Sequence, residues 1–452
     1  MFHFRRIIFW VHLILAIPAA LLVANMCATG ILLAFREEII ALSDAASARA
    51  PAPTPDARPL SVDELLEKTK AAGPEMRPLS LRFFNDPDKA VLAVVGRGKF
   101  FYINPYTGEI KQPGARATRA FMDGVAQWHR WLRFDGENRA IGKQITGAAS
   151  IAFLLLIVTG LVVWFPRHLH WRRFRLGLFF NHNLHGRTRE WNWHNVFGFW
   201  FSPLLVVLIL TALPISYRWA NDLIFTLSGE PVPQMGPPGM SPPKDGFPKF
   251  ATSGSLLSKD ALLKETRRQF PNWENITLFP FGPRPQGRPT GATGARPVGA
   301  TRPVAVPRPP VPAASDVPSP ASSSSRASRP NRRERGGRPD HPTRQETPAP
   351  ALAAVSPVML QIQEKGRFPQ FSNVQAHLNP YTGEVLRKET FADYSTGRKI
   401  RTWARFLHTG EAFGPVGKAV ALLASLAGLF LVYTGIALLY RRLRAKLRKH
   451  ST

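Results

Sequence analysis

Hydrophobic residues concentrate in four long runs, which cover residues 7–35, 141–165, 193–217 and 416–440. A helix needs about 20 apolar residues to cross the hydrocarbon core of a bilayer, and each run is long enough. The first run is too long for the hydrophobic region of a signal peptide and is followed by no small-residue cleavage site, so we expect a retained anchor. The pattern predicts a membrane α-helical protein built on a four-helix transmembrane bundle.

The two long connections between these runs have the alternating pattern of small α+β units. Residues 43–59 are rich in Ala and Pro, which predicts a linker. Ser61 and Glu64 have the spacing of a capping box, which predicts the start of a short helix. Strands are predicted at 79–84, 90–95 and 99–103, so an α+β unit is expected over residues 60–115.

This unit occurs twice in the sequence. The hexapeptide Asn-Pro-Tyr-Thr-Gly-Glu at 104–109 recurs letter for letter at 379–384, an offset of 379 − 104 = 275. The segment from Gly142 to Gly160 parallels the segment from Gly417 to Gly435 at the same offset. Matched flanks on both sides of a six-residue identity predict an internal duplication, with a second α+β unit over 255–390. The repeated hexapeptide itself is interpreted as a structural turn.

The second unit is interrupted by residues 283–350, which are rich in Pro, Ser, Ala and Arg. Such a composition cannot bury enough apolar surface to offset its chain entropy, so disorder is predicted. Two interpretations remain open for this insert: a tolerated loop insertion, or a basic tether to anionic lipid or cell-wall polymer.

The net charge of +29 would suggest nucleic-acid binding in a soluble protein, but its placement argues against that. Much of it flanks the apolar runs, at Arg5 and Arg6, in the basic loop over 166–192, and from Arg441 to the end of the chain. By the positive-inside rule, both termini and that loop are cytoplasmic, and the α+β units lie on the other side. Cys27 is the only cysteine, so no intrachain disulfide can form.

Four of the 12 histidines are candidate metal ligands. His12 and His194 lie at the head of the first and third runs, each 17 residues before a threonine (29 − 12 and 211 − 194). If the two helices are parallel neighbours, the histidines lie at one depth and can hold a haem iron from both sides. His129 lies in an amphipathic interfacial helix over 116–135, and His408 lies in a similar interfacial segment over 398–410.

The remaining histidines have simpler interpretations. A surface or hydrogen-bonding role is expected for His377, and terminal or loop roles for His3, His341 and His450. The basic loop contains four more, which suit either a solvated loop or a metal site: His168, His170, His182 and His185.

Two imidazoles on one iron leave it suited to passing single electrons. The sequence contains no Cys-x-x-Cys-His, so the expected cofactor is non-covalent haem b, in two copies. It also contains no glycine-rich dinucleotide fingerprint, so a separate cytoplasmic electron donor is expected.

Two segments in particular resemble the PepSY-associated transmembrane helix family. They are Trp-His-Asn-Val-Phe-Gly-Phe-Trp at 193–200 and Ser-Tyr-Arg-Trp-Ala-Asn-Asp-Leu at 216–223. The resemblance covers nearly the whole chain except the insert, and within the family it is to the iron-uptake reductases that act on ferric siderophores. It implies a bacterial inner-membrane protein that reduces a periplasmic ferric chelate through b-type haems. Carried over by position, the haem ligands are His12, His129, His194 and His408.

The leading hypothesis pairs His12 with His194 for an inner haem and His129 with His408 for an outer one. The outer haem would pass electrons to a ferric chelate held beneath the α+β units. Nearby arginines, at positions 130, 133 and 405, could neutralise haem propionates or an anionic chelate. Two alternatives stay open: a non-redox protein whose PepSY units bind a peptide or regulate a protease, and a metal permease.

Overall fold

The structure, a computed structural model, describes residues 2–73, 78–96, 99–166, 171–233, 255–280 and 356–450. These residues belong to one compact unit. The insert predicted over 283–350 lies outside the described residues, as do His168, His170 and His341.

In chain order the described α-helices are α1 (Phe2–Ala34), α2 (Arg36–Ala48), α3 (Val62–Ala71), α4 (Arg116–Trp131), α5 (Arg139–Trp164), α6 (Trp171–Leu178), α7 (Gly186–Ser216), α8 (Arg218–Leu227), α9 (Lys259–Gln269), α10 (Thr396–Thr409) and α11 (Gly414–His450). The described strands are β1 (Ser80–Phe84), β2 (Val91–Gly96), β3 (Lys99–Ile103), β4 (Ile110–Lys111), β5 (Trp273–Leu278), β6 (Val358–Glu364), β7 (Val374–Leu378) and β8 (Val385–Glu389). The same order of three helices, four strands and two helices occurs twice, once before and once after α6.

Among the described residues, four helices are long and apolar enough to cross a membrane, namely α1, α5, α7 and α11. They confirm the predicted membrane helical protein. Each helix packs along two others, so that α1, α5, α7 and α11 follow one another around a closed bundle. The helices α1 and α7 therefore occupy opposite corners. The condition that α1 and α7 are neighbouring helices is therefore not met, because the two helices lie diagonally across the bundle.

The residues after α1 continue as helix α2, so the linker expected over 43–59 begins only after Ala48. The Ala-rich segment has strong intrinsic helix propensity, and a tertiary contact holds it. Asp44 is buried in α2, where its carboxylate accepts hydrogen bonds from the amide of Ala115 (2.7 Å), the hydroxyl of Tyr102 (3.1 Å) and the guanidinium of Arg119. This junction ties α2 to the sheet and to α4.

The predicted basic loop over 166–192 also contains regular structure. It includes α6 and the first turns of α7, which begins at Gly186 rather than at Trp193. The reason is a buried amide: the side chain of Asn192 donates to the carbonyls of Leu176 (2.6 Å) and Phe179 (3.0 Å), which satisfies the end of α6.

All eight strands form one antiparallel sheet in the order β4-β3-β2-β1-β5-β6-β7-β8. The two expected α+β units are thus joined along β1 and β5, where Leu81 pairs with Leu278 and Phe83 with Ile276. Pairing of these edges explains the join, because an unpaired edge strand would expose its backbone amides and carbonyls. Apolar side chains of one face of the sheet pack against α3 and α9 in a single core.

The repeated hexapeptide forms the same turn in both copies. Asn104 accepts a hydrogen bond from the amide of Tyr106 (2.9 Å), and Asn379 accepts one from Tyr381 (2.9 Å). Gly108 has a φ of +73°, a conformation that a side chain rarely adopts. A Cβ there would also lie 2.0 Å from the Lys68 side chain. The residues of the turn are thus accounted for by local geometry, in line with the structural interpretation.

Candidate functional site

The four candidate histidines lie at two levels of the helical framework. His12 lies in α1 and His194 in α7, both within helices able to span a membrane. His129 and His408 lie in the last turns of the amphipathic helices α4 and α10. Helix α4 packs against α1 and α5, while α10 packs against α7.

On α4 the residues turned into the protein differ from the predicted stripe. The stripe predicted from the sequence runs through Phe121, Val125, Trp128 and Leu132, but Phe121 and Trp128 are 58% and 45% exposed. Val125 is buried as predicted, Met122 is buried as well, and His129 follows them at helical spacing. The sequence therefore placed His129 on the correct face, although two of its expected neighbours belong to the outer surface.

Each of the two inner histidines is held by a threonine of the neighbouring helix. Nδ1 of His12 lies 2.9 Å from Oγ1 of Thr159 on α5, and Nδ1 of His194 lies 2.8 Å from Oγ1 of Thr434 on α11. Both threonine hydroxyls donate their proton to a carbonyl of their own helix. Thr159 donates to Leu155 (2.6 Å) and Thr434 donates to Phe430 (3.0 Å). A hydroxyl has only one proton to donate, so with that proton on the helix carbonyl each threonine oxygen is an acceptor, and we assign the proton of the neighbouring imidazole to Nδ1.

The outer histidines have the same tautomer. Nδ1 of His129 lies 2.9 Å from Oγ1 of Thr29 on α1, whose hydroxyl donates to the carbonyl of Asn25 (2.6 Å). Nδ1 of His408 donates to the carbonyl of Leu208 on α7 (3.0 Å). The carbonyl at His408 can only accept, which places the proton of that ring on Nδ1. With the same tautomer assigned to the other three rings, the Nε2 lone pair of each of the four histidines is available to a metal. Ligating histidines typically donate their other ring N–H to such an acceptor.

The outer histidines come from the two halves of the chain and meet. The ring centroids of His129 and His408 are 6.2 Å apart, with an angle of 50° between the planes. An imidazole–metal bond of about 2.0 Å and a ring radius of about 1.1 Å put two imidazoles on one metal about 6.2 Å apart, centroid to centroid. The angle is compatible with this arrangement, because each ring can turn about its own metal bond. The centroid separation therefore matches that of two imidazoles on one metal ion, and His129 and His408 would be the residues that hold a haem iron.

The inner pair is less closely apposed. The rings of His129 and His408 are in contact, whereas no such ring contact joins His12 to His194. Their positions on opposite corners explain the difference. The core of a four-helix bundle is a common place for a cofactor held by side chains of facing helices.

Helical glycines lie beside three of the four imidazoles. A Cβ built on Gly160 would lie 3.3 Å from Cε1 of His12, one on Gly435 3.7 Å from Cε1 of His194, and one on Gly30 3.6 Å from Cε1 of His129. Each glycine directly follows the threonine that holds the same ring. These Thr-Gly pairs were missed as functional residues, although their repetition at 159–160 and 434–435 was visible in the sequence.

Burial determines the protonation of the outer pair. Burial, together with the charges of His408 and Arg130, lowers the pKa of His129 to about 3. Burial also lowers the pKa of His408, and the Leu208 hydrogen bond opposes this only in part. Both rings are therefore neutral near pH 7, which is the form that binds iron.

Positive charge accumulates beside the outer pair. Desolvation and the like charges of Arg405, Arg36 and Arg139 lower the pKa of Arg130. Arg36 is neutralised by ion pairs with Glu37 and Asp123, whereas Arg130 forms no ion pair with a carboxylate of the described residues. The outer site therefore suits an anionic group. Of the candidate arginines, Arg133 has a left-handed backbone with a φ of +59°, at the end of α4.

The other histidines that the structure describes form no comparable site. Within the described parts of the chain, no group of three or more His, Cys, Asp or Glu side chains is arranged to hold a metal ion. His182 and His185 lie in the connection between α6 and α7, and His377 lies in β7. The outer pair is thus the metal-ligand arrangement best supported by geometry among the described residues.

The fold and the site together define a class of protein, a multi-pass membrane protein with four candidate ligand histidines. Two of these lie within membrane-spanning helices, and two lie in the amphipathic helices that pack against them. The chain belongs to the PepSY-associated TM region family, whose model matches residues 9–442. No curated protein matches the chain. The family membership predicted from the sequence is thereby confirmed.

Proposed function

We propose that this protein carries single electrons across a bacterial inner membrane and delivers them to a ferric chelate, such as a ferric siderophore, for iron acquisition. In this proposal His129 and His408 hold an outer haem b, and His12 and His194 hold an inner one. The observation that carries the proposal is the outer pair, whose centroids lie 6.2 Å apart with both Nε2 lone pairs available.

The protein contributes ligand geometry and a controlled environment. A haem held by two imidazoles supplies a one-electron ferric/ferrous couple and has no open position for oxygen. Thr29 and the carbonyl of Leu208 fix the tautomer of the outer imidazoles, and Thr159 and Thr434 fix that of the inner ones. Two sites at different depths would divide the hydrocarbon core into shorter distances for an electron.

The substrate side is the side of the eight-stranded sheet. Arg130 and Arg405 lie beside the outer pair, where their positive charge suits an anionic chelate or haem propionates. Reduction of the bound ferric ion consumes one electron and needs no proton from the protein. We further propose that both termini are cytoplasmic, that the donor is a separate cytoplasmic protein, and that the two halves, with their PepSY-like units, arose by duplication.

The test is a single-turnover reaction under anaerobic conditions. Purified protein is reduced, freed of reductant and mixed with an equimolar synthetic ferric chelate, while a ferrous-specific dye reports iron(II). We expect reoxidation of the protein in step with formation of iron(II), one iron for each electron. The H408A variant should lose the fast phase. Reoxidation without iron(II), or equal rates in wild type and H408A, would contradict the reductase proposal.

The proposed alternatives predict different results. A protein that only binds peptides keeps its function when all four histidines are alanine. A permease moves iron(II) into proteoliposomes without any reductant. Both outcomes are measurable with the same preparations.

A further inference from the structure

Three threonines in the bundle make the same pair of hydrogen bonds. Thr29, Thr159 and Thr434 each donate to the carbonyl four residues earlier in their own helix and accept from the Nδ1–H of a histidine in another helix. The donated bond of Thr159 is 2.6 Å long and its accepted bond is 2.9 Å long. With its own proton engaged, the hydroxyl oxygen is polarised and becomes a better acceptor.

We propose that Thr29, Thr159 and Thr434 are positioning residues that set the reduction potentials of the two haems. The inference rests on the proposed function. An acceptor on Nδ1–H raises the basicity of the ligating nitrogen. A more basic imidazole stabilises the ferric state more than the ferrous state, so each accepted hydrogen bond lowers the midpoint potential.

The four hydrogen bonds divide unevenly between the two sites. Both inner histidines donate to a threonine hydroxyl, whereas the outer pair uses one hydroxyl and the carbonyl of Leu208. Thr211 stands at the position in α7 that corresponds to Thr29 in α1, but its hydroxyl contacts only carbonyls of its own helix, those of Val207 (2.7 Å) and Leu208 (3.0 Å). Threonine therefore acts on both ligands of the inner haem and on one ligand of the outer haem.

The expected size of the shift in midpoint potential follows from the effect of a hydrogen-bond acceptor on the metal affinity of a ligating histidine. Loss of a hydrogen bond to a ligating histidine typically weakens metal binding about 10-fold to 100-fold. If removal of one acceptor weakens the ferric state about tenfold relative to the ferrous state, the midpoint potential rises by about 59 mV for a one-electron couple. Removing both inner acceptors should approximately double the shift.

The experiment is a spectroelectrochemical titration of the intact protein and its variants. T159V and T434V remove the acceptor at nearly constant shape, and T159S and T434S restore a hydroxyl. S202A is the matched control, because the buried hydroxyl of Ser202 in α7 donates only to Phe199 of its own helix (2.9 Å). T29V tests the outer site separately.

We expect T159V and T434V to raise the potential of one haem, T29V to raise that of the other, and the serine variants and S202A to leave both near the wild-type values. Loss of haem in a valine variant with retention in its serine partner would also support the role. Unchanged potentials in the valine variants, or equal loss in valine and serine variants, would overturn it. Wild-type protein without any b-type absorption would instead refute the proposed function itself.

Discussion

An alanine at Gly160 would place a methyl group against the imidazole of His12. The new Cβ would lie 3.3 Å from Cε1 and 3.8 Å from Nδ1 of that ring. Carbon atoms normally approach to about 3.5–4.0 Å, so the ring must move by a few tenths of an ångström. This movement would stretch the hydrogen bond to Thr159 from 2.9 Å towards about 3.2 Å, the upper limit for N–H···O geometry.

Two opposing energies result. Alanine stabilises a helix by about 0.5–1 kcal/mol relative to glycine. Loss of the hydrogen bond costs about 1 kcal/mol, which corresponds to about a fivefold change in an equilibrium constant. We therefore expect the G160A protein to be about as stable as wild type in its folded apo form. Because the displaced imidazole must move back against the new methyl group to ligate iron, we expect haem binding to be weaker, by at most about fivefold.

The matched control is G435A. Its Cβ would lie 3.7 Å from Cε1 of His194, an ordinary contact, so the helix gains alanine while the ring stays in place. Haem affinity would be measured by competition with a soluble haem scavenger, and apo stability by thermal unfolding in detergent. Equal haem affinity in G160A and wild type, or a greater loss in G435A than in G160A, would refute the reasoning.

Two further predictions concern the framework around the site. Burial alone would raise the pKa of Asp44, but hydrogen bonds, including that from Arg119, hold it below its usual value. The stabilising contribution of the Asp44 carboxylate is therefore complete above its unfolded pKa of about 3.9 and is lost as the pH falls through its lower folded pKa. D44N should flatten the acid side of a plot of melting temperature against pH. An unchanged acid side would argue against this. R441A should lower the free energy of unfolding, because the buried carboxylate of Glu190 would lose the two hydrogen bonds that it accepts from Arg441. R444A, at an exposed position, should change the free energy of unfolding by less than about 0.5 kcal/mol; similar losses in both variants would disprove the role of the pair.

The sequence predicted the elements whose signals are local. Four apolar runs became four spans, and the Ser61–Glu64 capping box is formed as expected. The repeated hexapeptide marked the corresponding turn in each half because its Asn and Gly meet local backbone requirements. Each of these predictions depended on residues close together in the chain.

Features that depend on distant contacts were missed. Helix α2 is held by Asp44, whose partners lie more than 50 residues away in the sequence. The joining of β1 to β5 requires the two halves to meet, which periodicity within either half does not reveal. The diagonal placement of α1 and α7 likewise follows from packing of the whole bundle.

Only part of the candidate site could be predicted from the sequence, because the contacts between its residues are also distant in the chain. The four histidines could be selected by their positions at the ends of apolar or amphipathic segments, but their partners could not. Thr159 lies 147 residues from His12, and Thr434 lies 240 residues from His194. A threonine in a membrane helix ordinarily bonds its own backbone, so only the structure shows that these hydroxyls also accept from imidazoles.

The most direct test of the account is haem quantified per chain together with a reduced-minus-oxidised spectrum, for wild type and for the four single histidine-to-alanine variants. The account predicts b-type absorption from two haems in wild type. H129A and H408A should lose the same spectral component, and H12A and H194A should lose the other. Absence of b-type absorption after haem supplementation, or loss of different components by H129A and H408A, would contradict the claim that paired imidazoles hold haem in this protein.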